Sequence, residues 1–110
     1  MPTIRRVASV IHLRPEAEEE YLKLHRAVWP GVLAALNRAH ITNYSIFLRD
    51  GTLYAYYEYT GDDYEADMAA IRDDPAMTAW CVLTEACQQP VDSAANGEGW
   101  ADAEEVFHLD

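Results

Sequence analysis

The chain has 110 residues, half of them apolar, and a formal net charge of −11 from 8 basic and 19 acidic side chains. That length fits one domain with a small core, which gains from further burial between copies. The acidic balance serves solubility and argues against nucleic acid and anionic membrane, which both need basic patches, and no stretch approaches the roughly 18 apolar residues of a membrane span.

The N-terminus MPTIRRVASVIHL has a short apolar stretch that runs into the fold, so it reads as a strand over 4–13 and not as a signal peptide. RPEAEEEY then starts a helix. Pro15 suits the first helical position, and Glu16, Glu18, Glu19 and Glu20 favour the positive end of the helix dipole. Tyr21, Leu24, His25, Val28, Trp29, Val32, Leu33 and Leu36 follow a 3-and-4 spacing, which predicts one continuous helical face. Pro30 falls inside that face. It has no N–H to give the Arg26 carbonyl, and its ring crowds that carbonyl, so a kink is expected at a cost of about 3 kcal/mol.

TNYSIFL and TLYAYYEY predict two strands joined through RDGT, where Asp-Gly is a strong hairpin signal. Tyr44, Ile46 and Leu48 share one face of the first. Tyr54, Tyr56 and Glu58 share a face of the second, with Ala55, Tyr57 and Tyr59 opposite. Both faces are substantially apolar, so the sheet is expected to be covered on both sides. GDDYEADMAAIRDD reads as a helix, and Asp74-Pro75 opens another through about Gln88, stopped by Pro90. On one helix, Cys81 and Cys87 would lie on divergent faces, so no disulfide framework is expected and the cytoplasm is the default compartment. VDSAANGEGWADA reads as loop, and EEVFHLD as a last short strand closing the sheet.

The order β-α-β-β-α-(α)-β is the ferredoxin-like arrangement of the α+β class, here as a single domain over 1–110. Helices would cover one sheet face, and a second copy of the chain is the simplest cover for the other.

His25 is the first candidate for chemistry. A His on an apolar helix face reads either as a satisfied structural residue or as a functional one. Tyr21 one turn away adds a second polar tip on the same face, where burial is costly without partners. Tyr44 reads as a strand tyrosine or a pocket residue, and Trp80 as core or as a ligand platform. Glu58 is either a buried partner for a Tyr or His or a strand-end carboxylate. His12, His40 and His108 show no metal spacing. Neither CxxC nor a His–Cys cluster of zinc type appears, and no metal or cofactor is expected. The residues alone point to a ferredoxin-like dimer with a His/Tyr/Trp pocket.

EEEYLKLHRAVWP, NYSIFL, LYAYYE, AW and EEVFHL stand in the order and spacing of the L-rhamnose mutarotases, and the chain resembles that family from about residue 5 to residue 109. The resemblance implies a dimeric α+β barrel. It implies His25 as the catalytic proton donor, Tyr21 and Tyr44 as sugar contacts, and Trp80 as the first residue of a Trp-Trp pair lining the pocket. Cys81 replaces the second Trp, which widens or reshapes the pocket, and PVDSAANGEGWADAEE replaces the family's Asn-Pro-Asp-Asn-Ser-Pro stretch.

The implied activity is that of an isomerase interconverting the α and β pyranose anomers of L-rhamnose or a related deoxysugar such as L-fucose. Ring opening requires the ring oxygen to gain a proton as the anomeric hydroxyl loses one. Histidine suits that exchange through its ordinary pKa of about 6.5. Two other classes compete. A cofactor-free monooxygenase rests on fold analogy alone, and a non-catalytic ligand-binding domain would bind sugar without exchanging its anomers.

Overall fold

A computed structural model describes residues 3–110. The elements run β1 (Arg5–Leu13), α1 (Glu18–His25), α2 (Pro30–Arg38), β2 (Ile41–Arg49), β3 (Thr52–Tyr59), α3 (Tyr64–Asp73), α4 (Pro75–Glu85), β4 (Gln88–Gln89) and β5 (Ala101–Ala103). A single 3₁₀ turn at Pro15–Ala17 leads into α1. The sheet order is β2-β3-β1-β4, with β5 also paired to β1, and every pairing is antiparallel. This is the expected ferredoxin-like α+β arrangement.

The β2–β3 hairpin turns on Asp50 (φ 49°) and Gly51 (φ 72°), with Arg49 opposite Thr52. Two consecutive positive φ angles make the tight turn whose twist matches the strands, and Asp-Gly supplies them at low cost. Asp63 accepts from the Ala66 N–H at 3.2 Å and Asp74 from the Met77 N–H at 3.1 Å, so both expected helix starts are capped.

The long helical face is not continuous. α1 stops at His25, Trp29 is extended at ψ 137°, and Pro30 begins a separate helix at its first position. A residue before proline is pushed out of the helical region, and proline is well placed where its missing N–H would have no partner. The expected kink is therefore a full break over 26–29.

The chain end also departs from expectation. Residues 104–110 form no strand, and the last strand is Ala101–Ala103. β4 and β5 hold one edge of β1 at His12–Leu13 and Ala8–Val10. Beyond Ala103 an Arg6–Glu105 ion pair, at 2.7 Å, continues the contact. Val106 (89% exposed), Phe107 and Leu109 stand in solvent. At the other end of the segment, α4 stops at Glu85 and Gln88 belongs to β4 instead of the helix.

Buried side chains gather in two clusters. One joins Ile11, Leu13, Tyr21, Leu53 and Cys87; the other joins Ala39, Ile41 and Tyr59, with Leu36, Tyr57, Met68 and Ile71 packed on it. They lie toward opposite ends of the hairpin, since Leu53 is the second residue of β3 and Tyr59 closes it. Helices α2 and α4 approach closely where Gly31 meets Ala76, and an Arg38–Asp74 ion pair at 3.0 Å ties their ends. On the sheet's other face, Phe47 (62% exposed) and Tyr54 (46%) stand open.

Candidate active site

Between the helices and the sheet lies a cavity of about 530 Å³. His25 from α1, Trp80 from α4 and Tyr44 from β2 line it together, amid mostly apolar side chains. His25 and Tyr44 are each set there by a local feature of the chain.

His25 is the last residue of α1, where the helix ends ahead of Pro30. Its Nδ1 lies 2.9 Å from the Tyr21 carbonyl oxygen. A carbonyl only accepts, so Nδ1 carries the hydrogen and donates it, which leaves Nε2 as the atom free to exchange a proton with a ligand. The Tyr21 ring stacks on the imidazole at 4.2 Å, and the Trp80 ring meets it edge-on at 5.3 Å. Trp29 packs on Trp80 at 5.2 Å in the same edge fashion.

Tyr44 owes its position to a β-bulge. Thr42 pairs with Glu58 and Ser45 with Tyr56, so Asn43 and Tyr44 together oppose Tyr57. Asn43 takes a positive φ of 48°, which asparagine tolerates better than most residues, and its amide donates to Glu58 Oε1 at 2.8 Å. The bulge restores phase, so that Ile41, Ile46 and Leu48 pair with residues of the helix-facing side of β3 and Tyr44 reaches the cavity. Glu58 is thus a strand carboxylate on the sheet's other face, where it also accepts from the Tyr56 hydroxyl at 2.8 Å. Asn43 foremost, then Tyr56, holds its carboxyl below the usual range.

Burial pushes the Tyr21 hydroxyl up to about 12, against a smaller opposing effect of its hydrogen bond with Gln88. The Gln88 amide donates to that hydroxyl at 3.4 Å. Desolvation likewise raises Tyr44, and the Cys81 thiol adds to it. Both phenols are therefore neutral near pH 7 and able to donate hydrogen bonds. Cys81 is itself raised, first by burial and then by Glu85, so it stands as a neutral thiol. Among the described residues, no group of three or more His, Cys, Asp or Glu side chains is gathered in a form that could hold a metal ion.

The family model for L-rhamnose mutarotase matches residues 6–109. An L-rhamnose mutarotase of Listeria monocytogenes is 36% identical, over 96% of this chain and 99% of its own. The chain belongs to the L-rhamnose mutarotase family. An L-fucose mutarotase of Xanthomonas campestris is 34% identical, over 97% of this chain and 90% of its own. In fold, the chain resembles the crystal structure of an L-rhamnose mutarotase from Formosa agariphila, with a TM-score of 0.75 and 22% identity, over 96% of this chain and 99% of that one.

For this member of the L-rhamnose mutarotase family, the sequence-derived candidates divide into two groups. His25, Tyr44 and Trp80 share the cavity. Tyr21 and Cys81 are not among the side chains that line it. Tyr21 is 3% exposed and lies against the His25 ring, and Cys81 sits one residue past Trp80, near enough to Tyr44 to affect its hydroxyl. Sequence reasoning passed over Tyr57, a cavity residue whose ring lies 5.4 Å from Tyr44 and whose hydroxyl meets that of Tyr64 at 2.6 Å. Its place opposite Tyr44 follows only from the bulge. It also passed over Gln88, the buried partner of Tyr21, which no local pattern marks.

Proposed function

We propose that the chain is a mutarotase of L-rhamnose or a related 6-deoxysugar such as L-fucose, with His25 as its proton-exchanging residue. The observation that carries this reading is the His25 ring itself, fixed through Nδ1–H with Nε2 free, in a cavity shared with Tyr44 and Trp80. With Nδ1–H held by the Tyr21 carbonyl, His25 in its imidazolium form gives the Nε2 proton to the sugar ring oxygen while water takes the proton of the anomeric hydroxyl, and the C1–O bond to the ring opens. On closure at the other carbonyl face the ring hydroxyl returns its proton to Nε2 and the new anomeric oxygen takes one back from water. Tyr44, kept protonated, donates to a sugar hydroxyl. Trp80 offers an apolar aromatic surface to the sugar's C–H groups. Tyr21 acts through His25, holding the ring by its carbonyl and its stacked phenol. The family resemblance adds sugar contact by Tyr21 and a specificity role for Cys81.

Saturation-transfer NMR on a panel of deoxysugars tests the reading, because it reports anomer exchange directly. Exchange of L-rhamnose or L-fucose well above the buffer rate is expected. Sugar binding with no added exchange would instead make the chain a binding domain.

Two further expectations accompany this reading. The active form is a homodimer in which open sheet faces bury Phe47 and Tyr54 against a second copy, completing an α+β barrel. Sedimentation should give twice the 12.4 kDa chain mass; a stable monomer at micromolar concentration would count against that arrangement. Free Cys81 and Cys87 fit a reducing compartment, which makes the cytoplasm the expected location.

Cys81→Trp is expected to change the ranking of L-rhamnose against L-fucose. It adds a large flat wall beside Trp80 and near Tyr44, and aromatic contacts of this kind contribute about 0.5–1.5 kcal/mol beyond area burial. An unchanged ranking would mean that position 81 does not set specificity.

A further inference from the structure

The cavity is larger than a single sugar needs. Its volume of about 530 Å³ suits a drug-sized ligand, whereas a 6-deoxyhexose has only six carbons and five oxygens. It is also long. Along β2 the lining runs from Leu48, packed on the Leu53 cluster, to Ile41 in the Tyr59 cluster, nearly the whole strand. The space therefore spans the gap between the two halves of the core.

Its polarity is uneven along that length. The Leu53 cluster contains Tyr21, against which the His25 ring is stacked. Toward the other cluster the lining is Leu36, Ile41, Met68 and Ile71, with Tyr57 beside them. Those four side chains give a sugar hydroxyl no strong hydrogen bond in exchange for its lost water, and the Tyr57 hydroxyl beside them is already bonded to that of Tyr64 at 2.6 Å. An alkyl group placed there loses nothing and gains contacts. The 6-methyl of a deoxysugar uses only a small part of such space.

We propose that this cavity takes 6-deoxysugars bearing an apolar ether on a ring hydroxyl other than the anomeric one, an inference that rests on the sugar-binding reading of the same site. The sugar ring lies by His25, Tyr44 and Trp80, and the alkyl group enters the space between Leu36, Met68 and Ile71. The anomeric hydroxyl stays free, so ring opening proceeds as for the unsubstituted sugar and no bond to the substituent changes.

Calorimetric titration with L-rhamnose and with its 2-O-, 3-O- and 4-O-methyl ethers tests this on the full chain. At least one ether is expected to bind about fourfold more tightly than L-rhamnose, the worth of burying one methyl group. Ile71→Phe on α3 and Leu36→Phe on α2 fill the apolar end from two different helices, and each is expected to erase the ether's advantage. If all three ethers bind more weakly than L-rhamnose, the proposal is overturned. It is equally overturned if folded filling variants keep the ratio of ether to parent affinity. If neither variant folds, the comparison on the unaltered chain decides alone. Anomer exchange is read separately by NMR. Tighter ether binding without exchange of any sugar would remove the mutarotase reading and leave this one standing.

Discussion

His25→Ala is expected to lower the anomer-exchange rate by roughly 10²–10⁴-fold, the usual worth of positioned acid–base assistance. The loss should fall on turnover more than on the sugar concentration for half-maximal rate, because the proton transfer is made in the transition state. The variant should stay folded. His25 is half-buried at the end of a helix, and its Nδ1–H bond goes to the carbonyl four residues back in the same helix. Removing the ring leaves that carbonyl near a widened cavity, where water can replace the lost donor. Tyr44→Phe provides the contrast: it removes one hydrogen bond worth about 0.5–1.5 kcal/mol, so its effect should stay under about tenfold and appear in half-saturation. A folded His25→Ala chain that exchanges anomers at the parent rate would falsify the assignment. A variant that unfolds instead would identify His25 as a structural residue.

The parts of this fold that could be read from sequence are those set by short-range chemistry. Asp50-Gly51 specifies its turn through two φ angles, and Asp63 and Asp74 specify helix starts through one side-chain bond each. Tyr44, Ile46 and Leu48 share a face because alternation needs only the local pleat. The ferredoxin-like order then follows from the order of elements.

Other features depend on what the chain meets at a distance. Pro30 has two outcomes open to it, a kink inside a helix or the first position of a new one, and the side-chain spacing of Tyr21, His25 and Trp29 is the same before either. EEVFHLD has a strand-like composition, but a strand needs an edge, and the pairing with β1 ends at Ala103. The bulge at Asn43 adds one residue to β2 without disturbing the alternation on either side, so neither it nor the Tyr44–Tyr57 contact shows in the sequence. The candidate site divides the same way. Family spacing marks His25, Tyr44 and Trp80, which share the cavity. Only the packed structure shows that Tyr21 is held behind His25 with Gln88 at its hydroxyl.

Trp80→Ala is expected to destabilise the fold by about 3–5 kcal/mol, the range for removing a buried aromatic ring. That is a large share of the roughly 5–15 kcal/mol that holds a typical domain together. Trp80 is 6% exposed and stands where three pieces of chain meet, edge-on to His25 from α1 and to Trp29 ahead of α2. Backbone bonds from Arg26 and Ala27 run back into α1 and those of α2 begin at Trp29, so the packing of His25 and Trp29 on Trp80 helps join the two helices across the break. Removing the indole enlarges a cavity that is already open, and the neighbouring helices can close only part of the gap. Urea unfolding should show a lower midpoint with little change in slope, since the surface exposed on unfolding barely changes. Trp80→Phe keeps an aromatic edge for both neighbours and should recover much of the stability. Its sugar affinity should still fall, because a smaller ring offers less surface to the ligand. A loss below about 1 kcal/mol in Trp80→Ala, within the range of ordinary surface changes, would show that the indole is a cavity wall alone and that α1 and α2 are held by other contacts.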